Sequence, residues 1–190
     1  MTHGKDALID RLHSRQATIA VVGLGYVGQP LVLRFSEVGF RVLGLDVDNA
    51  KVDGLNRGHT TIEHIPDHRI AAARAAGFEA SADFARAAEA DVLILCVPTP
   101  LGTHREPELR YVEETLDTLA PHLSPGQALS LESTTYPGTT EEHLRPRLEA
   151  RGLTVGSDAF AIYSPEREDP ANPDFTTQTI PKVVGGLTPA

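Results

Sequence analysis

The chain has 190 residues, 41% hydrophobic and 23% charged, which fits one soluble domain with a sizeable core and is short for two. A net charge of −9 argues against a nucleic-acid surface, although backbone N–H groups bind anions locally whatever the overall balance. The single cysteine, Cys96, excludes an internal disulfide, "MTHGKDALIDRLHSRQ" carries no leader pattern and the longest apolar run, "VLILCVP", is too short to span a bilayer, so a cytoplasmic protein with no membrane partner is expected.

In chain order, residues 1–16 hold an amphipathic segment with Leu8, Ile9 and Leu12, expected as a helical extension packed on the domain edge. Residues 17–190 are expected to form one domain. "TIAVVG" reads as a buried strand, and "GQPLVLRFSEVG" as a helix with Leu31, Phe35 and Val38 near helical spacing and Gly39 as its stop. "FRVLGLD" is a second strand, "NAKVDGLNRG" a short helix closed by Gly58, and "HRIAAARAAG" a helix ended by Gly77. "DVLILCV" reads as a fully buried strand, and "LRYVEETLDTLAPHL" as a helix with Val112, Leu116 and Leu119 on one face. "GQALSLEST" is the next strand. "GTTEEHLRPRLEARG" is a helix whose Thr139, Thr140, Glu141 and Glu142 suit its positive end, and whose Pro146 warns of a kink. "AFAIYSP" and "KVVGG" close the series as strands. The alternation predicts an α/β fold of the Rossmann type, a doubly wound, mainly parallel sheet with helices on both faces.

The first strand runs into "VGLGYVGQP", with Gly23, Gly25 and Gly28 spaced G-x-G-x-x-G between a strand and a helix. That context turns a weak motif into a dinucleotide cradle. Gly23 permits a tight turn, Gly25 a close approach of backbone to pyrophosphate, and Gly28 close packing of helix on strand. Asp46, 18 residues after Gly28 at the end of the second strand, has the spacing of an acid that binds the adenosine ribose. A carboxylate there repels a 2′-phosphate, which favours NAD over NADP. Asp48 is a rival for that role and also fits a cap for the next helix.

Three later segments end strands and should gather on the same rim. They are "CVPTPL", "LESTTYPGTTEE" and "YSPEREDPANP". Together with "GLGYVG" and "IPKVVGG", in this order, they resemble the UDP-glucose/GDP-mannose dehydrogenase family from about Ser14 to the last residue. The fuller strings "REPEL", "LESTTYPGTTEE" and "SPEREDPANP" look most like its UDP-N-acetylglucosamine 6-dehydrogenase branch.

The resemblance implies a four-electron oxidation of a sugar C6 alcohol to a carboxylate with two NAD, trapping the aldehyde on a cysteine as a thiohemiacetal that becomes a thioester and is hydrolysed. It also implies a UDP-sugar substrate, a homo-oligomeric full-length enzyme and a place in polysaccharide biosynthesis. Gly23, Gly25, Tyr26, Val27 and Gly28 match the family's pyrophosphate turn, and Asp46 its ribose-binding acid. Val97, Pro98 and Thr99 match its V-P-T-P loop against the cofactor. Thr134 matches the threonine of its S-T-x-x-x-G segment, touching the cofactor and helping to position a catalytic water. Glu166 matches the glutamate of its S-P-E segment, as a base or an orienter of that water. Many members carry a second acid four residues later, where this chain has Pro170, preceded by Glu168 and Asp169, so the bearer of that role stays open.

The family's nucleophilic cysteine lies in a later glycine-rich segment beyond "VVGGLTPA", as do its catalytic lysine, asparagine and aspartate. Cys96, inside a buried strand, reads as a core residue and not as a substitute. The expectation is therefore the NAD-binding part of such an enzyme, inactive alone, for UDP-N-acetylglucosamine. UDP-glucose or UDP-N-acetylmannosamine, or a stand-alone non-catalytic NAD-binding module, are the alternatives. His59, His64 and His68 have poor spacing for zinc and read as solvated loop residues, so no metal is expected. "GHTTIEHIPDH" reads as a loop beside the substrate or the adenosine, or as a plain connection. Arg105 and Glu106 face the sugar nucleotide or form a surface pair, and Arg167 holds Glu166, a phosphate, or neither.

Overall fold

The computed structural model describes residues 4–102, 106–165 and 181–189. A helix, α1 (Lys5–His13), precedes β1 (Thr18–Val22), α2 (Gly28–Glu37), β2 (Arg41–Leu45), α3 (Asn49–Asn56), α4 (Asp67–Ala75) and β3 (Glu79–Ser81). A 3₁₀ segment, Phe84–Glu89, leads to β4 (Val92–Leu95), α5 (Arg110–Leu119), β5 (Ala128–Leu131), α6 (Arg145–Ala150), β6 (Phe160–Tyr163) and β7 (Gly185–Gly186).

The strands form one sheet in the order β3-β2-β1-β4-β5-β6-β7, parallel except for the last pair. From β1 the chain winds outward to β3, then returns to the other side of β1 and winds outward through β4, β5 and β6. The direction of winding reverses between β1 and β4, where an open sheet of this kind carries its crevice.

The apolar runs are explained by burial on both faces. In β1 every residue is buried. Ile19 and Val21 join the core beneath α2 and α4, which supply Leu31, Val32, Ile70 and Ala73. Ala20 and Val22 join the core beneath α5 and α6, with Val112, Leu116, Leu119 and Leu148. The two-residue period of a strand thus assigns neighbouring side chains to opposite cores. Gly44 in β2 makes room for this packing: a Cβ there would stand 2.9 Å from the Leu24 side chain and 3.0 Å from Phe78.

Pro146 does not break its helix. Residues Thr140–Leu144 form a π turn, with the Arg145 N–H donating to the Thr140 carbonyl, and α6 starts with Pro146 in its first turn. Proline removes the donor that would serve the carbonyl of Glu142, and the wider turn absorbs the defect. The strand read over "KVVGG" contracts to Gly185–Gly186, which pair antiparallel with Tyr163 and Ile162. The three-residue β3 and the 3₁₀ segment after it had no counterpart among the sequence-derived elements.

α1 lies across the sheet end remote from the crevice. Leu8 packs with Ala128 and Phe160. Arg11 pairs at 2.8 Å with Asp91, whose carboxylate also accepts from the Thr18 amide at 2.7 Å.

Candidate functional site

A cavity of about 740 Å³ runs along the C-terminal ends of β2, β1, β4 and β5. Asp46, Val47 and Lys51 line one end, and Glu132, Ser133 and Thr134 the other. Between them lie the turn after β1 and the loop after β4, while Phe84, Tyr111, Glu114 and Thr118 form the outer wall.

Of the residues singled out in the sequence, Gly23, Gly25, Tyr26, Val27, Asp46, Val97, Pro98, Thr99 and Thr134 all come to this wall. Gly28 does not. It is buried under the turn, where a Cβ would collide with the carbonyl oxygen of Gly23 and stand 3.3 Å from Val21. Its part is close packing of α2 on β1, one step removed from a ligand. Glu166, Arg167, Glu168, Asp169 and Pro170, like Arg105, lie outside the described residues.

The turn is built by contacts on both sides. Gly23 has φ +93°, and a Cβ there would lie 2.7 Å from the Cys96 carbonyl oxygen, so glycine allows the turn to lean on the end of β4. Among the described residues, and apart from its chain neighbours, a Cβ on Gly25 would meet no atom within 4 Å. Its bareness leaves the backbone open to the cavity, which fits a phosphate-bearing ligand. The positive end of α2 follows at once and suits the same charge.

Asp46 fixes the far side of the turn. One carboxylate oxygen accepts from the Leu24 amide at 2.8 Å and from Lys51 Nζ at 2.8 Å, and the other accepts from the Asp48 amide at 3.0 Å. Burial opposes the charge on Asp46, but Lys51 and the amides of Asp48 and Leu24 outweigh it and hold the carboxyl below its ordinary value. Asp48 instead caps α3, accepting from the Ala50 and Lys51 amides at 2.9 and 3.2 Å. Lys51 was not legible as a site residue; five positions after Asp46, it reads as an ordinary helix-surface charge.

Gln29, fully buried, also escaped the sequence reading. Its Nε2 donates to the Leu24 carbonyl at 2.9 Å and to Thr61 Oγ1 at 3.2 Å, and its Oε1 accepts from Thr60 Oγ1 at 2.7 Å. Gln29 therefore ties the "GHTTIEHIPDH" loop to the glycine turn. In that loop His64 stacks on Tyr26 with ring centroids 6.2 Å apart, and His59 Nδ1 lies 2.8 Å from Asp67.

At the other end, Ser133 Oγ donates to the Val97 carbonyl at 2.7 Å and couples the loops that carry Thr99 and Thr134. Beyond Thr134, Tyr136 OH donates to Glu142 at 2.9 Å and lies 3.0 Å from His143 Nε2, while His143 Nδ1 lies 3.2 Å from Glu113 on α5. The Glu142 carboxylate pushes the Tyr136 phenol above its ordinary value. Glu132 is buried, on the cavity wall, and forms an ion pair with Lys182 ahead of β7. Cys96 is buried at the end of β4, among the core residues under α2, as its strand position predicted.

Among the described residues, no helix is long and apolar enough to cross a membrane, and no group of three metal-ligating side chains is present.

The chain matches a family model across residues 17–190, described as the UDP-glucose/GDP-mannose dehydrogenase family, NAD binding domain. It is 35% identical over 171 residues to Protein CapL of Staphylococcus aureus, covering 90% of this chain and 39% of that protein. It is 34% identical over 172 residues to a UDP-N-acetyl-D-glucosamine 6-dehydrogenase of Pseudomonas aeruginosa, covering 90% of this chain and 40% of the relative. The structure is similar to the UDP-N-acetyl-mannosamine dehydrogenase Cap5O from Staphylococcus aureus, with a TM-score of 0.80, 30% identity, and coverage of 90% and 42% of the two chains. The chain thus spans about two fifths of the length of these relatives.

Proposed function

The chain belongs to the UDP-glucose/GDP-mannose dehydrogenase family, its residues 17–190 matching the family's NAD-binding domain, and we propose that it serves as the dinucleotide half of an enzyme that oxidises the C6 alcohol of UDP-N-acetylglucosamine to the uronate. The observation that carries the cofactor half of this reading is the cavity itself. It runs beneath four consecutive strand ends, from Asp46 past the bare backbone of Gly25 to Thr134. Three strand spacings, about 14 Å, separate β2 from β5, a span that suits an extended dinucleotide.

Bound NAD supplies the hydride acceptor. The chain's own groups bind and orient it. The turn from Gly23 to Val27, with the positive end of α2, receives the pyrophosphate. Asp46, held charged by Lys51 and two amides, accepts from the ribose hydroxyls and repels a 2′-phosphate. Val97, Pro98 and Thr99 lie along the path to the reactive end. Thr134 positions a water through its hydroxyl, and Glu166, by its motif, serves as base or orienter. The full reaction also needs a cysteine nucleophile, and Cys96, buried just past the end of β4, does not fill that part.

The strings "LESTTYPGTTEE" and "SPEREDPANP", with the Pseudomonas relative, favour the N-acetylglucosamine substrate. UDP-N-acetylmannosamine is the second reading, favoured by the name of the similar Staphylococcus structure.

Calorimetric titration of the chain with NAD and NADP, repeated on Asp46→Ala, tests the cofactor half. Saturable NAD binding with little NADP binding, and loss of that preference in the variant, is the expected result. The substrate is tested by comparing NADH formation from the UDP-sugars in a polypeptide that joins this domain to the family's cysteine-bearing segment. Faster turnover of UDP-N-acetylmannosamine would reverse the assignment.

A further inference from the structure

We propose that the ion pair of buried Glu132 with Lys182 sets the preference of the cleft between oxidised and reduced dinucleotide, a reading that rests on the cleft being an NAD site. The Glu132 amide donates to the Leu95 carbonyl at 2.9 Å, which fixes this residue at the end of β5 beside the end of β4. Its side chain is 5% exposed and forms part of the cavity wall. Lys182 is 33% exposed and approaches that carboxylate from the edge of the sheet, ahead of β7. The pair is therefore oriented, with its negative member turned to the cavity and its positive member toward solvent.

The position along the cavity gives this orientation a consequence. Asp46 marks the adenosine end, and Glu132 stands at the opposite end, three strands away. The nicotinamide ring belongs at that end. It carries a positive charge when oxidised and none when reduced. A carboxylate removed from water near that ring attracts only the oxidised form, and Lys182 offsets part of the attraction. Neither residue is needed to recognise the parts that NAD and NADH share, so the pair acts on the ratio of the two affinities. Sequence spacing gave no hint of the arrangement, because the partners are 50 residues apart and neither falls in a local charge pattern.

The test is calorimetric titration of the chain and three variants with NAD and with NADH. Glu132→Gln keeps the shape and removes the negative charge, so the NAD-to-NADH affinity ratio should fall roughly three- to tenfold, as expected for one charge several ångströms away in a half-open cleft. Lys182→Met removes the offsetting charge, and the ratio should rise by a similar factor. The double variant should return close to the unsubstituted chain. A purely structural role for the pair would weaken both nucleotides together and leave the ratio unchanged, and that result in Glu132→Gln overturns the proposal. Thermal melts accompany the titrations; if Lys182→Met does not fold, Glu132→Gln and the double variant still decide the sign. Failure of the unsubstituted chain to bind either nucleotide overturns the reading of the cleft, and the proposal with it. Normal binding with an unmoved ratio overturns the proposal alone.

Discussion

Replacing Gly25 and Gly28 separately by alanine should divide the glycine motif into a ligand-facing and a packing residue. At Gly25 a Cβ meets no atom of the described residues beyond its chain neighbours within 4 Å, and its φ lies outside the left-handed region. Gly25→Ala therefore costs the fold nothing sterically and narrows the unfolded ensemble, worth about 0.4–1 kcal/mol of added stability. In a domain of this size that raises Tm by about 1–4 °C. The same methyl group enters the cavity where pyrophosphate would lie, so NAD affinity should fall at least tenfold. At Gly28 the added Cβ collides with the Gly23 carbonyl oxygen, a backbone atom that yields only by moving the turn. Gly28→Ala should cost about 1–3 kcal/mol, the usual range for overpacking, and lower Tm by about 2–12 °C. Thermal unfolding gives the stabilities and NAD titration the affinities. Undiminished NAD binding by Gly25→Ala would refute the assignment of the turn to pyrophosphate. A large loss of stability in Gly25→Ala, or none in Gly28→Ala, would refute the geometric division.

Three further outcomes are expected. Leu116→Ala, at a fully buried position under β4 and β5, should cost about 2–5 kcal/mol, read by urea unfolding. Asp48→Ala removes the acceptor of the Ala50 and Lys51 amides and should cost about 0.5–2 kcal/mol by the same measurement. Because the Asp46 carboxyl is held below its ordinary value when folded, its contribution is fully present above the unfolded value near 3.8 and is lost as pH falls through the lower, folded one. The stability difference between the chain and Asp46→Asn should accordingly shrink below about pH 4; a difference constant from pH 6 to pH 2 would contradict the ion pair with Lys51.

Residues that declare themselves through their own neighbourhood were legible in the sequence. β1, β4 and β5 are short β-branched or leucine runs closed by turn residues, and burial on both faces requires that composition. Asp46 was legible because its distance from the glycine turn is set by one helix and one strand. β3 was not, because three residues with one exposed glutamate cannot display a period. Gly28 was legible as a packing glycine through its motif position, and the structure adds the atom it packs on, the Gly23 carbonyl oxygen. Gln29, Lys51 and the pair Glu132–Lys182 escaped for a common reason. Each is a polar residue in an ordinary helix, strand end or loop, and its meaning comes from a partner supplied by another element. Thr134 was legible only through its motif, since a lone hydroxyl after a strand has many uses.

The central position of β1 also bears on how the chain reaches its native state. Its register with β2 joins Thr18 to Arg41, a local pairing across one helix, whereas its register with β4 joins Ile19 to Val92 after α2, β2, α3, α4 and β3 have all passed. Closing the longer loop costs more chain entropy and is rewarded only when both strands are ready. The segment from β1 to β3 should therefore gain amide protection first in pulsed hydrogen exchange, and the crevice, which crosses from β1 to β4 and so needs that pairing, should be among the last features to form. A dinucleotide bound in that crevice would then act chiefly on the unfolding rate and leave the early folding steps unchanged.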